Sequence, residues 1–167
     1  NALGKDHLDL FRNGAYLVNK SQQTSDPDVY AVGDCATVYD NAIKDVNSIA
    51  LATNAVRSGI VAGHNACGTP LESAGVQGSN GICIFGYKLI STGITLAKAE
   101  KFGIEALATD FEDYQKPGFI ADNEMVKIRI VYEKGSRRIL GMQCASTYDM
   151  SSLNHMFSLA LHAEITI

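Results

Sequence analysis

The chain has 167 residues, 46% of them hydrophobic and 19% charged, with a formal net charge of −4. This is an ordinary globular composition, sufficient for one domain or two small ones. Arg137 and Arg138 are the only adjacent basic pair and no run of about 18 apolar residues occurs, so nothing favours nucleic acid, an anionic membrane surface or a spanning helix.

In chain order, residues 1–23 are mixed and polar, with "AYLVN" at 15–19 as a short strand behind the turn signal "RNG". "TSDPD" at 24–28 consists of turn formers. "VYAVGD" at 29–34 predicts a short buried strand between Pro27 and Gly33. Residues 39–45 are polar and read as loop. Ile49, Ala52, Val56 and Ile60 then recur at helical spacing, with Gly63 on the same face and Gly68 and Pro70 as stop signals. A helix across 46–68 is expected, its small residues suited to close approach by backbone or ligand. Gly68, Gly75, Gly78, Gly81 and Pro70 mark 68–81 as a loop and a domain boundary.

The second half is α+β in character. "ICIFGYKLISTG" at 82–93 predicts two short strands about Gly86. Thr95 caps a helix through 96–102 that Gly103 closes, and 104–113 reads as a strand. Residues 125–146 form a hairpin turning at "EKGS", with Val126, Ile128, Ile130 and Tyr132 on one face and Lys127 and Arg129 between them. Residues 150–164 make an amphipathic helix with Leu153, Met156, Phe157 and Leu161 on one side.

Cys35, Cys67, Cys83 and Cys144 form no C-x-x-C pair, and the four scattered histidines complete no zinc spacing. The cysteines read as reduced, mostly buried thiols of a cytoplasmic protein, with no metal. His64 and His155 stand near no nucleophile and read as surface or packing residues. Asp34 is the first candidate for chemistry. Ligands of open α/β sheets sit beyond the carboxyl ends of strands, where a carboxylate can accept from a sugar or polyol hydroxyl; a turn or N-cap aspartate is the plainer alternative. The helix start near 46–50 is the second candidate, because its free N–H groups attract an anion or an electron-rich ring atom; a packing helix is the alternative. The glycines at 75, 78 and 81 lack the G-x-G-x-x-G order, and a carboxylate beside Cys35 disfavours its thiolate, so that thiol reads as structural.

"TSDPDVYAVGDCA" resembles the late FAD-binding motif of the pyridine nucleotide-disulfide oxidoreductases. "VNSIALATNAVRSGIVAGHNACG", "GVQGSNG", "STGIT" and "SRRILGMQCAS" are similar to the branch holding NADH oxidases, NADH peroxidases and coenzyme A-disulfide reductases, and "NAVRSGIVAGHNACG" with "HMFSLAL" looks most like the water-forming NADH oxidases. The resemblance implies an α+β dimerisation domain, an antiparallel sheet with helices, over 75–167. It implies the end of an NAD domain and the last segment of an FAD-binding α/β domain over 1–74. Both termini read as cuts, so a piece of a longer protein is expected, inactive alone, with the redox cysteine outside the chain. The implied cofactors are FAD and NAD(H), the substrates NADH and dioxygen, and the partner a second copy of the chain. By the same resemblance Asp34 contacts the ribityl chain, and the backbone of Ala50, Leu51, Ala52 and Thr53 faces the pyrimidine edge of the flavin. Thr24 lies near FAD, and Ala50 and Gly81 lie toward the nicotinamide. A peroxidase, a coenzyme A-disulfide reductase and a stand-alone dimerisation module stay open as alternatives.

Overall fold

The computed structural model describes residues 3–167; residues 1 and 2, at the head of the polar opening stretch, lie outside it. The chain divides into two units: one runs to Asp40 and resumes over Lys44–Val76, the other comprises Asn41–Ile43 and Gln77–Ile167.

In the first unit, the segments 15–19 and 29–34 are not strands. Tyr16 makes single-residue bridges to Leu10 and Ala36, and Tyr30 one to Gln23. A strand needs a ladder along its length, and these segments bridge at isolated residues only, their other backbone bonds going to scattered partners. Ala31 is buried, but Val29 and Val32 are each 37% exposed, and the chain then tightens into a 3₁₀ turn at Gly33–Cys35. The polar stretch 39–45, expected as loop, contributes to a hairpin instead. Val38–Asp40 (β1) pairs antiparallel with Asp45–Asn47 (β2). Asp40 is 1% exposed and accepts from Asn47 Nδ2 at 2.8 Å, so polar pairing rather than apolar alternation fixes this register.

The helix is present as Ala52–Ala66 (α1), starting later than expected because β2 occupies 45–47. Its apolar stripe is not its buried side. Val56 is 65% exposed and Ile60 54%, whereas Asn54, Ser58, Val61 and Ala62 are buried. Positions 54, 58, 61 and 65 form the inward row. Asn65 Nδ2 donates to Val61 O (2.8 Å) and Leu71 O (2.7 Å), and Asn65 Oδ1 accepts from Leu71 N (3.2 Å). The helix therefore docks by satisfying loop backbone, a polar solution to the rule that buried backbone groups must be paired.

The second unit is a five-stranded antiparallel sheet, Asn80–Ile84 (β3), Tyr87–Gly93 (β4), Ala106–Tyr114 (β5), Met125–Glu133 (β6) and Ile139–Ser146 (β7), in the order β3-β4-β7-β6-β5. Leu96–Lys101 (α2) starts at Thr95, whose hydroxyl accepts from Lys98 N at 3.2 Å, as the capping signal predicts. Ser151–His162 (α3) packs against β4 and β7. The alternation in β6 holds through Ile130 and breaks at a bulge between Val131 and Tyr132. Val131 is fully buried in the cluster with Ile94, Ala99 and Leu140 while Tyr132 is half-buried, contrary to the four-residue face read from sequence. In α3, Leu153, Phe157 and Leu161 pack inward, but Met156 is 63% exposed and Ala160 takes the place expected of it. The core gathers Ile94, Ala99, Val131, Leu140 and Leu161, with a second cluster of Ile90, Val126, Met142 and Cys144.

Candidate functional site

The best-formed candidate lies in the first unit, where the 3₁₀ turn meets α1. Gly33 N donates to Ser58 Oγ at 3.0 Å, and Ser58 Oγ donates to Ala55 O at 2.9 Å. These bonds moor the turn on the first two turns of the helix. Asn54, one turn before Ser58, donates Nδ2 to Ile49 O at 3.1 Å and fixes the approach into the helix. The two side chains are only 7% and 6% exposed. Sequence reasoning missed both as positioning residues. Their signal was a polar pair at i and i+4 inside a helix otherwise built of small and apolar residues.

Two features stand on this platform. Asp34 is exposed, and its carboxylate takes no donor among the described residues. The start of α1 has no side-chain cap: Leu51, the N-cap, offers only its carbonyl, which accepts from Asn54 N at 2.9 Å and Ala55 N at 3.0 Å. The N–H groups of Ala52 and Thr53 meet no acceptor among the described residues, and Ala50, Ala52 and Thr53 are exposed, with Leu51 half-buried. An uncapped, 15-residue helix presents partial positive charge at these amides. One acceptor for hydroxyls and a pair of donors for a negatively polarised edge thus occupy adjoining elements.

The other predicted residues are placed differently. Thr24 spends its hydroxyl inside its own turn, within 3.0 Å of both Asp26 O and Val29 O, and accepts from Asp26 N at 3.2 Å. Gly81 lies in the second unit on β3 and is exposed. A Cβ there would meet Leu89 O at 3.6 Å and Ile90 Cγ1 at 3.7 Å, ordinary contacts, so nothing within the unit demands glycine.

Three of the four thiols are exposed rather than buried: Cys35 on the 3₁₀ turn, Cys67 at the end of α1 and Cys83 on the edge strand β3. Each sits where an element ends or has no neighbour. Cys144, on central β7, is buried, and that burial pushes its thiol pKa up. His64 and His155 are exposed. Among the described residues, no group of three or more His, Cys, Asp or Glu could hold a metal ion, and no helix is long and apolar enough to cross a membrane.

One face of the second unit's sheet is a broad hollow of about 1000 Å³. Arg129 binds Asp110 through paired contacts of 2.6 and 2.7 Å, and Lys127 binds Glu112 at 3.0 Å, beside exposed Ile82 and Leu89. The hydrogen bond from Arg129 holds the Asp110 carboxyl below its usual range, and the bond to Glu112 holds Lys127 above its own.

Two family models match the chain: pyridine nucleotide-disulphide oxidoreductase over residues 1–59, and the dimerisation domain of that family over 80–167. The chain is 62% identical over 166 residues to an NADH oxidase of Streptococcus pyogenes, covering 99% of the chain and 36% of that protein. It is 59% identical over 168 residues to an NADH oxidase of Lactococcus lactis, covering 99% of the chain and 38% of the relative. The structure of a water-forming NADH oxidase from Lactobacillus brevis bound to NADH superposes with a TM-score of 0.94 at 35% identity, over 99% of the chain and 37% of that protein. The chain thus spans little more than a third of the length of the relatives it matches.

Proposed function

The chain belongs to the pyridine nucleotide-disulphide oxidoreductase family, and from that premise we propose that it is the flavin-contacting and dimer-forming portion of an FAD-dependent NADH oxidase that reduces dioxygen to water. The observation that carries this reading is the moored pair of Asp34 and the open start of α1. FAD, when bound, supplies the hydride-accepting and electron-carrying chemistry. The residues of the chain bind and orient. Asp34 accepts from a ribityl hydroxyl, a charge-assisted bond worth about 1.5–3 kcal/mol. The amides of Ala52 and Thr53, with the backbone of Ala50 and Leu51, face the pyrimidine edge and favour negative charge there. Ser58 and Asn54 hold both groups in place. Thr24 contributes by shaping its turn, since its hydroxyl is already engaged. Gly81 leaves room on β3 for a close approach from the nicotinamide side. The sheet face with Ile82, Leu89 and the two ion pairs suits a second copy of the chain. The proposed domains are 1–74, ending the NAD and FAD domains, and 75–167 for dimerisation.

The test is flavin retention in the full-length protein that carries this chain. Asp34→Ala should weaken FAD binding about tenfold or more, with Asp34→Asn retaining part of the loss as a neutral partner. Ser58→Ala should weaken it less, by loosening the turn. Stoichiometric FAD with an unchanged dissociation constant in Asp34→Ala would remove the carboxylate from the reading.

A further inference from the structure

Asn13 and Asn80 are the asparagines of this chain that precede a glycine, and their surroundings differ. Asn13 stands in the tight turn that joins Leu10 to Tyr16. Gly14 N donates to Phe11 O at 2.8 Å, Phe11 N donates to Ala15 O at 2.7 Å, and Leu10 bridges to Tyr16. Gly14 lies at φ +84° while Arg12 and Asn13 keep negative φ, the pattern of a type I turn closed by a left-handed glycine. Asn13 is exposed, and a Cβ built on Gly14 would meet nothing within 4 Å, so space is open around this peptide bond. Asn13 Oδ1 accepts from Ala15 N at 3.1 Å. That bond arches the carboxamide over the Asn13–Gly14 peptide as an Asx turn. It also draws charge from Cγ and sets a donor where an oxyanion forms on Oδ1. Asn80 instead opens β3, where Gly81 pairs with Ile90 in the ladder to β4. Its Nδ2 donates to Gly78 O at 2.9 Å, which commits the carboxamide to the chain before it rather than to the glycine after it.

We propose that Asn13 is a site of spontaneous main-chain modification, through a cyclic imide formed with Gly14. The Gly14 nitrogen gives up its proton to hydroxide and attacks Asn13 Cγ. The N–Cγ bond forms, the Cγ–Nδ2 bond breaks, and Nδ2 leaves as ammonia with a proton taken from water. A water molecule then opens the imide. Entry at Cγ leaves aspartate; entry at the main-chain carbonyl leaves isoaspartate, in which the chain runs through Cβ and Cγ. In sum one water is consumed and one ammonia released, and nothing is oxidised or reduced. Glycine has no side chain to shield its nitrogen. The bond from Gly14 N to Phe11 O must open first; exposed turns open at little cost, whereas Gly81 is released only when the β3 ladder parts. The product puts a carboxylate in place of a neutral amide, and isoaspartate adds a main-chain carbon to a turn bonded on both sides. Neither Asp34 nor the start of α1 takes part, so the outcome is independent of the flavin reading.

Incubation of the full-length protein, followed by peptide mass spectrometry and labelling with an isoaspartate methyltransferase, tests this. The expected result is aspartate and isoaspartate at Asn13, accumulating about tenfold faster or more than at Asn80, because opening the ladder costs more than opening the turn. The rate at Asn13 should rise about tenfold from pH 7 to pH 8, since the attacking species is the deprotonated amide. Asn13→Ser keeps an acceptor for Ala15 N but has no carboxamide, and it should remove the labelling that the wild type gains at this position. An Asn13 that stays intact while a free peptide of the same sequence reacts overturns the proposal, because the fold then protects the site. Conversion at Asn80 equal to or faster than that at Asn13 overturns it as well.

Discussion

At the scale of single residues, two glycines with the same backbone separate conformational strain from steric exclusion. Gly93, at φ +70°, ends β4, and a Cβ there would run into Leu140 O and stand 2.7 Å from Gly141 Cα. Gly103, at φ +68°, closes α2 with nothing within 4 Å of its would-be Cβ. Both need the left-handed region, which an alanine reaches at about 1–2 kcal/mol. Only Gly93 also abuts immovable backbone in the core, and overpacking adds about 1–3 kcal/mol. Urea unfolding should therefore show Gly103→Ala losing about 1 kcal/mol and Gly93→Ala losing about 3 kcal/mol or more. Equal losses would mean that β4 and β7 can shift apart without penalty. The same contrast separates Asp34 from Asp40. Both follow apolar residues in sequence, yet Asp40 is sealed and paired with Asn47 whereas Asp34 is exposed. Residue type alone could not tell them apart.

At the scale of elements, legibility followed the kind of interaction that holds each one. The β3–β4 and β6–β7 hairpins were readable because alternating side chains and turn residues act locally. Thr95 announced α2 for the same reason. The β1–β2 hairpin was not readable, since its strands are three residues long and rest on Asp40–Asn47 pairing. The strand expected at 29–34 failed because its backbone bonds go to the turn at 22–26 and to Ser58, leaving a single bridging pair and no ladder. In α1, spacing located the helix but not its inward side, as docking there depends on Asn54, Ser58 and Asn65 meeting backbone from distant loops. Asp34 and the helix start were legible as chemistry; the Ser58 and Asn54 moorings that join them were not. This inversion makes a prediction. In the 167-residue chain, Ile60→Ser should change stability by no more than about 0.5 kcal/mol, as at other exposed sites. Asn65→Ala, which removes the side-chain bonds to Val61 O and to both backbone groups of Leu71, should cost about 1 kcal/mol or more. Denaturant midpoints in the reverse order would restore the apolar stripe as the packing face.

At the scale of the whole molecule, the two units are not two consecutive stretches of chain. Asn41–Ile43 belongs to the second unit, although first-unit residues flank it on both sides. The three residues form most of the turn between β1 and β2, a position where sequence suggests only solvent. Ala42 is instead 0% exposed and clusters with Ile94, Ala99 and Leu140, while Ile43 packs against the same group. Arg138, buried to 9% exposure, donates Nη1 to Asn41 O at 3.4 Å. A turn that completes another unit's core ties the stability of that core to residues far upstream in sequence. Ala42→Gly removes one buried methyl and should cost about 1 kcal/mol. Ala42→Asp places an unpaired carboxylate in the same space and should cost about 3 kcal/mol or more. The loss should fall on the second unit. Hydrogen exchange of β7 amides, Ile139–Ser146, should accelerate in Ala42→Asp, while amides in the middle of α1 keep their protection. Unchanged exchange in β7 would mean that the cluster closes without Ala42. Acceleration in α1 as large as that in β7 would mean that the two units unfold as one cooperative body.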